Sequence, residues 1–251
     1  MRRVIIAFAC VATLFFLAFV WRYPWLSVGV LALSHALVLY PTLRPNAQWL
    51  GPVYASFAAE KPELWLTIDD GPTADTPALL DLLDSRRVRA AFFVKGSLAQ
   101  SAPNLVREII QRGHAVGNHS QTHPSGTCWC LPPTRVRREI ERCSAVIREI
   151  AGSPPSLFRA PVGMKNPFVH PVLHENGMRL IGWNCRAYDA VKSDSDAIAA
   201  SIEKQLRPGS IIVVHQGRAW SLRTIAAVID RAQRRGYDFV VPDPARLKTK
   251  R

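Results

Sequence analysis

Leu64-Trp65-Leu66-Thr67-Ile68-Asp69-Asp70-Gly71-Pro72 is an apolar run that stops abruptly on two carboxylates and a turn. Through Ile68 it reads as a strand buried on both faces, with no charge to interrupt it. Gly71-Pro72 then ends it. Runs of the same kind recur at 90–94 (AAFFV), 114–118 (HAVGN), 157–161 (LFRAP), 178–184 (MRLIGWN), 210–215 (SIIVVH) and 238–242 (DFVVP). Helix-like stretches lie between them, near 77–86, 103–112, 134–150, 168–176, 194–206 and 221–235. Pro77 and Pro103 stand where first-turn prolines belong, and Gly113, Gly177 and Gly236 follow helix ends. Val136, Ile140, Cys143, Ile147 and Ile150 recur at steps of four and three, marking one buried face. Strands alternating with helices predict an α/β fold, a parallel sheet closed or nearly closed into a distorted (β/α)7-type barrel. In such barrels the chemistry gathers on loops at the C-terminal ends of the strands.

Upstream the chain changes character. Residues 4–21 (VIIAFACVATLFFLAFVW) carry no charge, and residues 25–41 (WLSVGVLALSHALVLYP) none apart from the titratable His35. A helix over the first run would be roughly 27 Å long, close to the hydrocarbon core of a bilayer. No small-residue cleavage site follows it, so a retained anchor is expected rather than a cleaved signal. The second run is shorter and contains Ser27, Ser34 and His35; it either spans as well or lies in the interface. Residues 1–42 are therefore read as a membrane anchor of one or two transmembrane helices. Residues 43–62 read as a linker, 63–243 as the barrel domain and 244–251 as a basic tail. With Arg2 and Arg3 inside, one span puts the domain outside and two spans return it to the cytoplasm. The apolar second run and the basic domain favour two spans, hence the cytoplasmic face of the cell membrane.

The formal charge of +13 on 251 residues raises the question of nucleic acid. Arg135, Arg137, Arg138, Arg142 and Arg148 are interleaved with Glu139, Glu141 and Glu149, which reads as a solvated helix face. No stacking aromatics accompany them, so no nucleic-acid partner is expected. Attraction to anionic head groups accounts for the charge and suits the anchor. The five cysteines are odd in number and lack paired spacing. Cys128-Trp129-Cys130 is read as a loop feature, and neither disulfides nor an oligomeric state are assigned.

Polar residues that are costly in a core stand at the strand ends. Asp69 and Asp70 repel each other unless a cation or a proton lies between them, although Asp-Asp-Gly-Pro is also an ordinary turn. His119 and His123, in His119-Ser120-Gln121-Thr122-His123, would share one face of a helical turn, which suits one metal ion. A pair with that spacing also arises in cores. With Asp70 they make two imidazoles and one carboxylate, which leaves positions for water and substrate, as catalytic sites do. Arg159-Ala160-Pro161-Val162-Gly163 and Ile212-Val213-Val214-His215 close two further strands. Singly, Arg159 reads equally as an ion-pair residue and His215 as a core histidine.

Taken in order, these segments resemble the motifs of the polysaccharide deacetylase family (NodB homology, carbohydrate esterase family four). That family carries Thr-Phe-Asp-Asp-Gly-Pro, His-Ser/Thr-x-x-His, Arg-x-Pro-x-Gly and Leu-x-x-His. Asp189, in Trp183-Asn184-Cys185-Arg186-Ala187-Tyr188-Asp189, falls where a fifth motif has an aspartate. The resemblance spans residues 63–243. It implies that Asp70, His119 and His123 bind a divalent metal, zinc before cobalt, manganese or nickel. It implies that Asp69 is the general base for the attacking water and that Arg159 pairs with Asp69 and keeps it ionised. His215 would be the general acid for the leaving amine, oriented by Asp189, and the Val162 backbone amide would help hold the oxyanion. The chain departs from the family at Ile68 (for Phe), Val162 (for Tyr), Ile212 (for Leu) and Ala190 (for Trp). These changes are expected to lie mostly around the acyl pocket, bearing on substrate shape and acyl group while leaving the reactive groups in place.

The function so implied is hydrolysis of an N-acyl group, most simply N-acetyl, from an amino sugar in a glycan or a lipid-linked saccharide. The anchor points to a substrate held at the membrane. An O-acetyl glycan esterase is the alternative within the fold. A non-catalytic membrane-anchored glycan-binding module is the alternative outside enzymology; loss of Asp69 or of a metal ligand would favour it, and neither is lost. A basic membrane-surface scaffold leaves the motifs unexplained.

Overall fold

The computed structural model describes residues 1–249. The two apolar runs form helices α1 (Arg2–Phe19) and α2 (Pro24–Leu43), packed side by side as a hairpin. Both are long and apolar enough to cross a membrane, and most of their surface is exposed. Three of their hydroxyls bond back into the helix, Thr13 to Ala9 O, Ser34 to Leu31 O and Thr42 to Val38 O, each at 2.8 Å, whereas Ser27 Oγ is buried without a partner among the described residues.

The rest of the chain alternates strand and helix. In order come β1 (Val53–Phe57), β2 (Glu63–Gly71), α3 (Thr76–Ser85), β3 (Ala90–Val94), α4 (Gly96–Ser101), α5 (Pro103–Gln111) and β4 (Ala115–Asn118). There follow α6 (Pro133–Ala151), β5 (Leu157–Phe158), α7 (Val169–Glu175), β6 (Arg179–Ile181), α8 (Ser195–Glu203), β7 (Ser210–His215), α9 (Ser221–Arg234), β8 (Asp238–Phe239) and β9 (Leu247–Thr249). Pro77, Pro103 and Pro133 open α3, α5 and α6. Gly152 stops α6, at φ +78, a left-handed conformation open to glycine at little cost.

The ring runs β2-β3-β4-β5-β6-β1-β7 and back to β2, a closed seven-strand barrel. Its strands pair in parallel except at one seam, where β1 meets β7 antiparallel through Ser56 and Ser210. A lone parallel bridge from Cys185 to Ile212 supplements that seam. The barrel is therefore distorted where β1 enters.

β1 lies in the stretch read as a linker, so residues 43–62 are in part a barrel strand. Its Val-Tyr-Ala-Ser-Phe pattern alternates buried and half-buried residues over only five positions, too short to stand out. The 238–242 run supplies only Asp238–Phe239, paired to the start of β2 outside the ring. The stretch read as a basic tail holds β9, paired antiparallel to β1; Lys250 and Arg251 of that stretch lie outside the described residues.

Alternation along β2 divides the core in two. Trp65, Thr67 and Asp69 face the interior, where Trp65 packs with Phe93, Ile211, Val213 and Trp183. Leu64, Leu66 and Ile68 face outward against Leu79, Leu83, Ile225 and Val228 of α3 and α9. Burying each such leucine or isoleucine contributes about 1.5–3 kcal/mol. Under α6 and α7, Val136, Ile140, Val172 and Leu173 cover Phe158 and Leu180.

The hairpin is joined to the barrel by buried polar contacts. The Lys165 ammonium, fully buried and facing no carboxylate, donates to Pro41 O, Arg44 O and Pro45 O at 3.2, 2.7 and 2.9 Å. Burial brings its pKa down to about 8, while three carbonyls at a helix C-terminus favour the charged form. Lys165 N also bonds Thr42 O, and Asn46 Nδ2 bonds Trp183 O at 2.6 Å. A side chain at Gly163 (φ +74) would meet the Trp183 ring at 2.6 Å and Pro45 at 2.8 Å. The end of α2 is thus fitted against the loop that follows β5.

Candidate active site

Every residue singled out from the sequence comes to one end of the barrel. Asp69 and His215 end neighbouring strands in register, β2 and β7. His119 follows β4, Arg159 follows β5, and Asp189 lies in the loop after β6. Asp69, Asp70, His119, His123, Val162, Asp189 and His215 line one cavity of ≈ 390 Å³, with Lys95, Trp183, Arg186, Tyr188 and Arg218 around them.

The backbone is bent hard to achieve this. Among the described residues six non-glycines have positive φ, and five of them are here: Asp70 (76°), Ser120 (65°), His123 (53°), Val162 (48°) and Tyr188 (61°). For a β-branched residue such as Val162 this is a genuine outlier, of the kind that persists where surrounding structure overdetermines it.

Residues 119–123 do not form the helical turn expected from their spacing. Ser120 and His123 are left-handed, and a looped chain brings the two rings to 4.8 Å between centroids. The loop is held from outside. Asn118 is buried, donates to Ile140 O and Ser144 Oγ, and accepts from Ser120 N at 2.7 Å. Glu139 is buried rather than solvated, and accepts from Thr122 N and Thr122 Oγ1, both at 2.8 Å. The sequence carried a signal for Glu139: it falls three after Val136 and four before Cys143, on the buried stripe of α6. For Lys95, Arg186 and Tyr188 it carried none.

Asp70, His119 and His123 offer donor atoms that all lie within 4.8 Å of one another. Asp70 Oδ1 is 3.5 Å from His123 Nε2 and 3.8 Å from His119 Nε2. Donors held about 2.0–2.2 Å from a single zinc would sit roughly 3–3.5 Å apart, so the set fits after a small contraction. Asp70 Oδ1 is a buried acceptor without a hydrogen bond; Lys95 Nζ stands 3.1 Å away, outside bonding geometry. His119 Nδ1 lies 2.9 Å from Arg159 O; a carbonyl only accepts, so Nδ1 carries the proton and Nε2 offers its lone pair to the cluster. Burial lowers the pKa of both imidazoles, that of His123 to about 4. Burial works to raise Asp70, but His119, Lys95 and His123 outweigh it and hold the carboxyl low. Two neutral imidazoles and a carboxylate are a donor set suited to a divalent cation.

Beside this cluster Asp69 Oδ1 receives Arg159 Nη1 at 2.8 Å. Arg159 is fully buried, bonds Thr67 Oγ1, Ile181 O and Gly182 O, and lies over the Phe93 ring at 4.2 Å. Burial lowers its pKa, opposed by Asp69. On the other side, Asp189 accepts from His215 N at 2.6 Å and pairs with His215 Nδ1 at 3.1 Å. Burial pulls the His215 pKa down, yet Asp189, with Asp69 and Asp70 behind it, more than compensates and the net direction is upward. The Val162 N–H has no acceptor among the described residues.

Of the four departures named above, only two touch the cavity. Val162 and Ala190 line it, while Ile68 and Ile212 are buried in the layer between barrel and helices. The expectation that the departures lie mostly around the acyl pocket is met by Val162 and Ala190, while strand alternation sends Ile68 and Ile212 outward. All five cysteines are free, and Cys128 lies buried under the 124–131 loop.

Comparison with known proteins identifies the family. The family model described as polysaccharide deacetylase matches residues 58–181. The chain is 32% identical over 193 residues to a chitooligosaccharide deacetylase of Bradyrhizobium sp. (strain ANU 289), covering 70% of this chain and 87% of that one. It is 29% identical to a peptidoglycan-N-acetylglucosamine deacetylase of Bacillus cereus, covering 68% and 62%. The solved structure of a family 4 carbohydrate esterase from Streptomyces lividans in complex with acetate superposes with TM-score 0.68 at 31% identity, over 75% of this chain and 96% of that one. The chain therefore belongs to the polysaccharide deacetylase family and is a hydrolase of the class that acts on carbon–nitrogen bonds.

Proposed function

We propose that this protein is a zinc-dependent N-deacetylase of an amino sugar, anchored by two membrane-spanning helices and acting on a saccharide carried at the membrane. The observation that carries the reading is the juxtaposition, in one cavity, of the Asp70–His119–His123 cluster with the Asp69–Arg159 and His215–Asp189 pairs. Asp70, His119 and His123 would hold the ion. A divalent ion there makes water a stronger acid and polarises an acyl carbonyl.

The chain's own groups supply the remaining steps. Asp69, paired with Arg159, takes the proton of the attacking water, and the Val162 N–H donates to the oxygen on which charge develops. His215, held protonated through Nδ1 by Asp189, gives its proton to the departing nitrogen. An amine leaves poorly without that proton, which favours an amide over an ester substrate.

Anchoring is supported by the shape of the hairpin. Arg2 and Arg3 share a cavity of ≈ 720 Å³ with Trp49, His170 and Arg179, so the start of α1 lies beside the barrel as the end of α2 does. Arg2, Arg3 and Arg44 then sit on the domain side of the bilayer and Arg22 on the far side. That excess favours the cytoplasmic face. The experiment is product analysis after incubating the protein with a panel of N-acetylated saccharides, with and without zinc. Release of acetate that depends on zinc supports the reading; no release from any N-acetylated saccharide refutes it.

A further inference from the structure

The active-site cavity holds more cationic charge than its chemistry uses. Its three carboxylates are engaged: Asp69 with Arg159, Asp70 in the imidazole cluster and Asp189 with His215. Arg186 and Arg218 also line the cavity, and neither forms an ion pair among the described residues. Arg186 is set in place rather than free. Gln205 bonds its backbone N–H at 3.2 Å and its carbonyl at 3.0 Å. Its guanidinium stacks over Tyr188 at 3.9 Å and faces Trp183 at 5.5 Å. A stacked guanidinium keeps its donor edge open, and such an edge matches the oxygens of a phosphate. Arg218, exposed, lines the same cavity three residues after His215, on the chain segment whose strand bridges to Cys185 beside Arg186.

The wall that carries Trp183 and Arg186 touches the segment just past the helical hairpin. Trp183 O takes the Asn46 amide, and Gly163 lies against Pro45, two residues past the end of α2. Tyr188, Val191 and Val162 present apolar surface at the mouth, with 53%, 78% and 47% of their area exposed. A ligand entering here would meet cationic donors inside an apolar rim set close to the anchor.

We propose that Arg186 and Arg218 form an anion subsite that receives the phosphate of a glycosyl phosphate, the phosphate joining the amino sugar to a membrane lipid. The assignment rests on the N-deacetylase reading and narrows its substrate class. Tyr188, through its stacking on Arg186, is a positioning residue for the subsite.

The test has a binding arm and a turnover arm, both on the full chain in detergent. Calorimetry without added metal measures binding of N-acetylglucosamine, its 1-phosphate, and an analogue bearing a carboxylate in place of the phosphate. The 1-phosphate should bind about 10- to 100-fold more tightly than the neutral sugar, the range of one or two hydrogen bonds to a charged group. Arg218→Gln, at an exposed position, should bring that preference to within about threefold of unity, and Arg186→Gln should do the same. Equal binding of neutral and phosphorylated sugars overturns the subsite, and tighter binding of the carboxylate analogue overturns phosphate as its ligand. In the turnover arm, a polyprenyl phosphate-linked sugar in vesicles should exceed the soluble 1-phosphate in kcat/KM; equal values overturn the lipid source. Absence of acetate release from every sugar, with the binding preference intact, would sink the deacetylase reading and leave the anion subsite standing.

Discussion

Replacing Arg159 by Met tests the arrangement at its most buried point. The side chains have similar length, so the loss is of charge and donors rather than of volume. Arg159 is wholly inaccessible and Asp69 nearly so, at 0% and 3% exposure. Removing one partner of such a pair leaves an uncompensated buried charge, which typically costs about 3–5 kcal/mol. Ile181 O and Gly182 O lose donors at 3.2 and 3.0 Å as well, which pushes the cost toward the upper end of that range. With an unfolding slope of about 2 kcal/mol per molar urea, the midpoint should fall by roughly 2 M. Asp69→Asn in the same background removes the stranded charge and should recover at least about 2 kcal/mol, a coupling measured as a double-mutant cycle. Both single variants should be severely impaired in turnover, so the cycle is read from urea unfolding rather than activity. A cost under about 1 kcal/mol for Arg159→Met, or no recovery in the double variant, would refute the reasoning.

Asp69→Asn alone should retain fold and zinc binding while turnover drops about 10²–10⁴-fold; full turnover would assign the base elsewhere. The raised pKa of His215 sets the alkaline limb of the rate profile: the acid must be protonated, so kcat should fall as pH rises through a midpoint above 6.5. Asp189→Asn removes the partner that raises it and should move that midpoint downward, and an unmoved limb would show that another group titrates. Deleting residues 1–38 keeps the last turn of α2 with its carbonyls for Lys165, and should yield a soluble domain that unfolds cooperatively. Deleting residues 1–62 also removes β1 and should abolish that cooperative transition in thermal circular dichroism; an unchanged midpoint would mean the ring closes without it.

Which parts of this architecture the sequence disclosed follows from the range of the forces involved. Strands buried on both faces, such as Ala90–Val94 and Ser210–His215, announce themselves as uninterrupted apolar runs, and their ends matched the structure to the residue. The chemical residues were legible because carboxylates and histidines at strand ends have no local reason to be there. β1 was not legible. Its five residues are held by partners more than 100 positions away, and nothing near it in the chain forces an extended conformation. The geometry of 119–123 escaped for a related reason: an i, i+4 spacing suggests a helical turn, and only the tertiary bonds from Asn118 and Glu139 reveal a left-handed loop. Ile68 and Ile212 show the converse failure, where a motif position was taken as pocket although strand alternation turns it away.

The place of β1 in the ring has a consequence for biosynthesis. Its neighbours are β6 and β7, with β9 on the antiparallel side, so its ladder lacks partners until Arg179–Ile181, Ser210 and then Leu247–Thr249 have left the ribosome. The helical hairpin is made first and is ready for insertion long before that. For most of translation the chain would therefore carry a nascent strand with open edges, held beside the bilayer, waiting for its partners. Non-local pairing of this kind is slow to form, and unpaired edges invite association between chains. Anchored as proposed, nascent copies would be kept apart at the membrane, and detachment before β7 emerges would expose them to the bulk. Chains released early from the translocation machinery should accordingly aggregate.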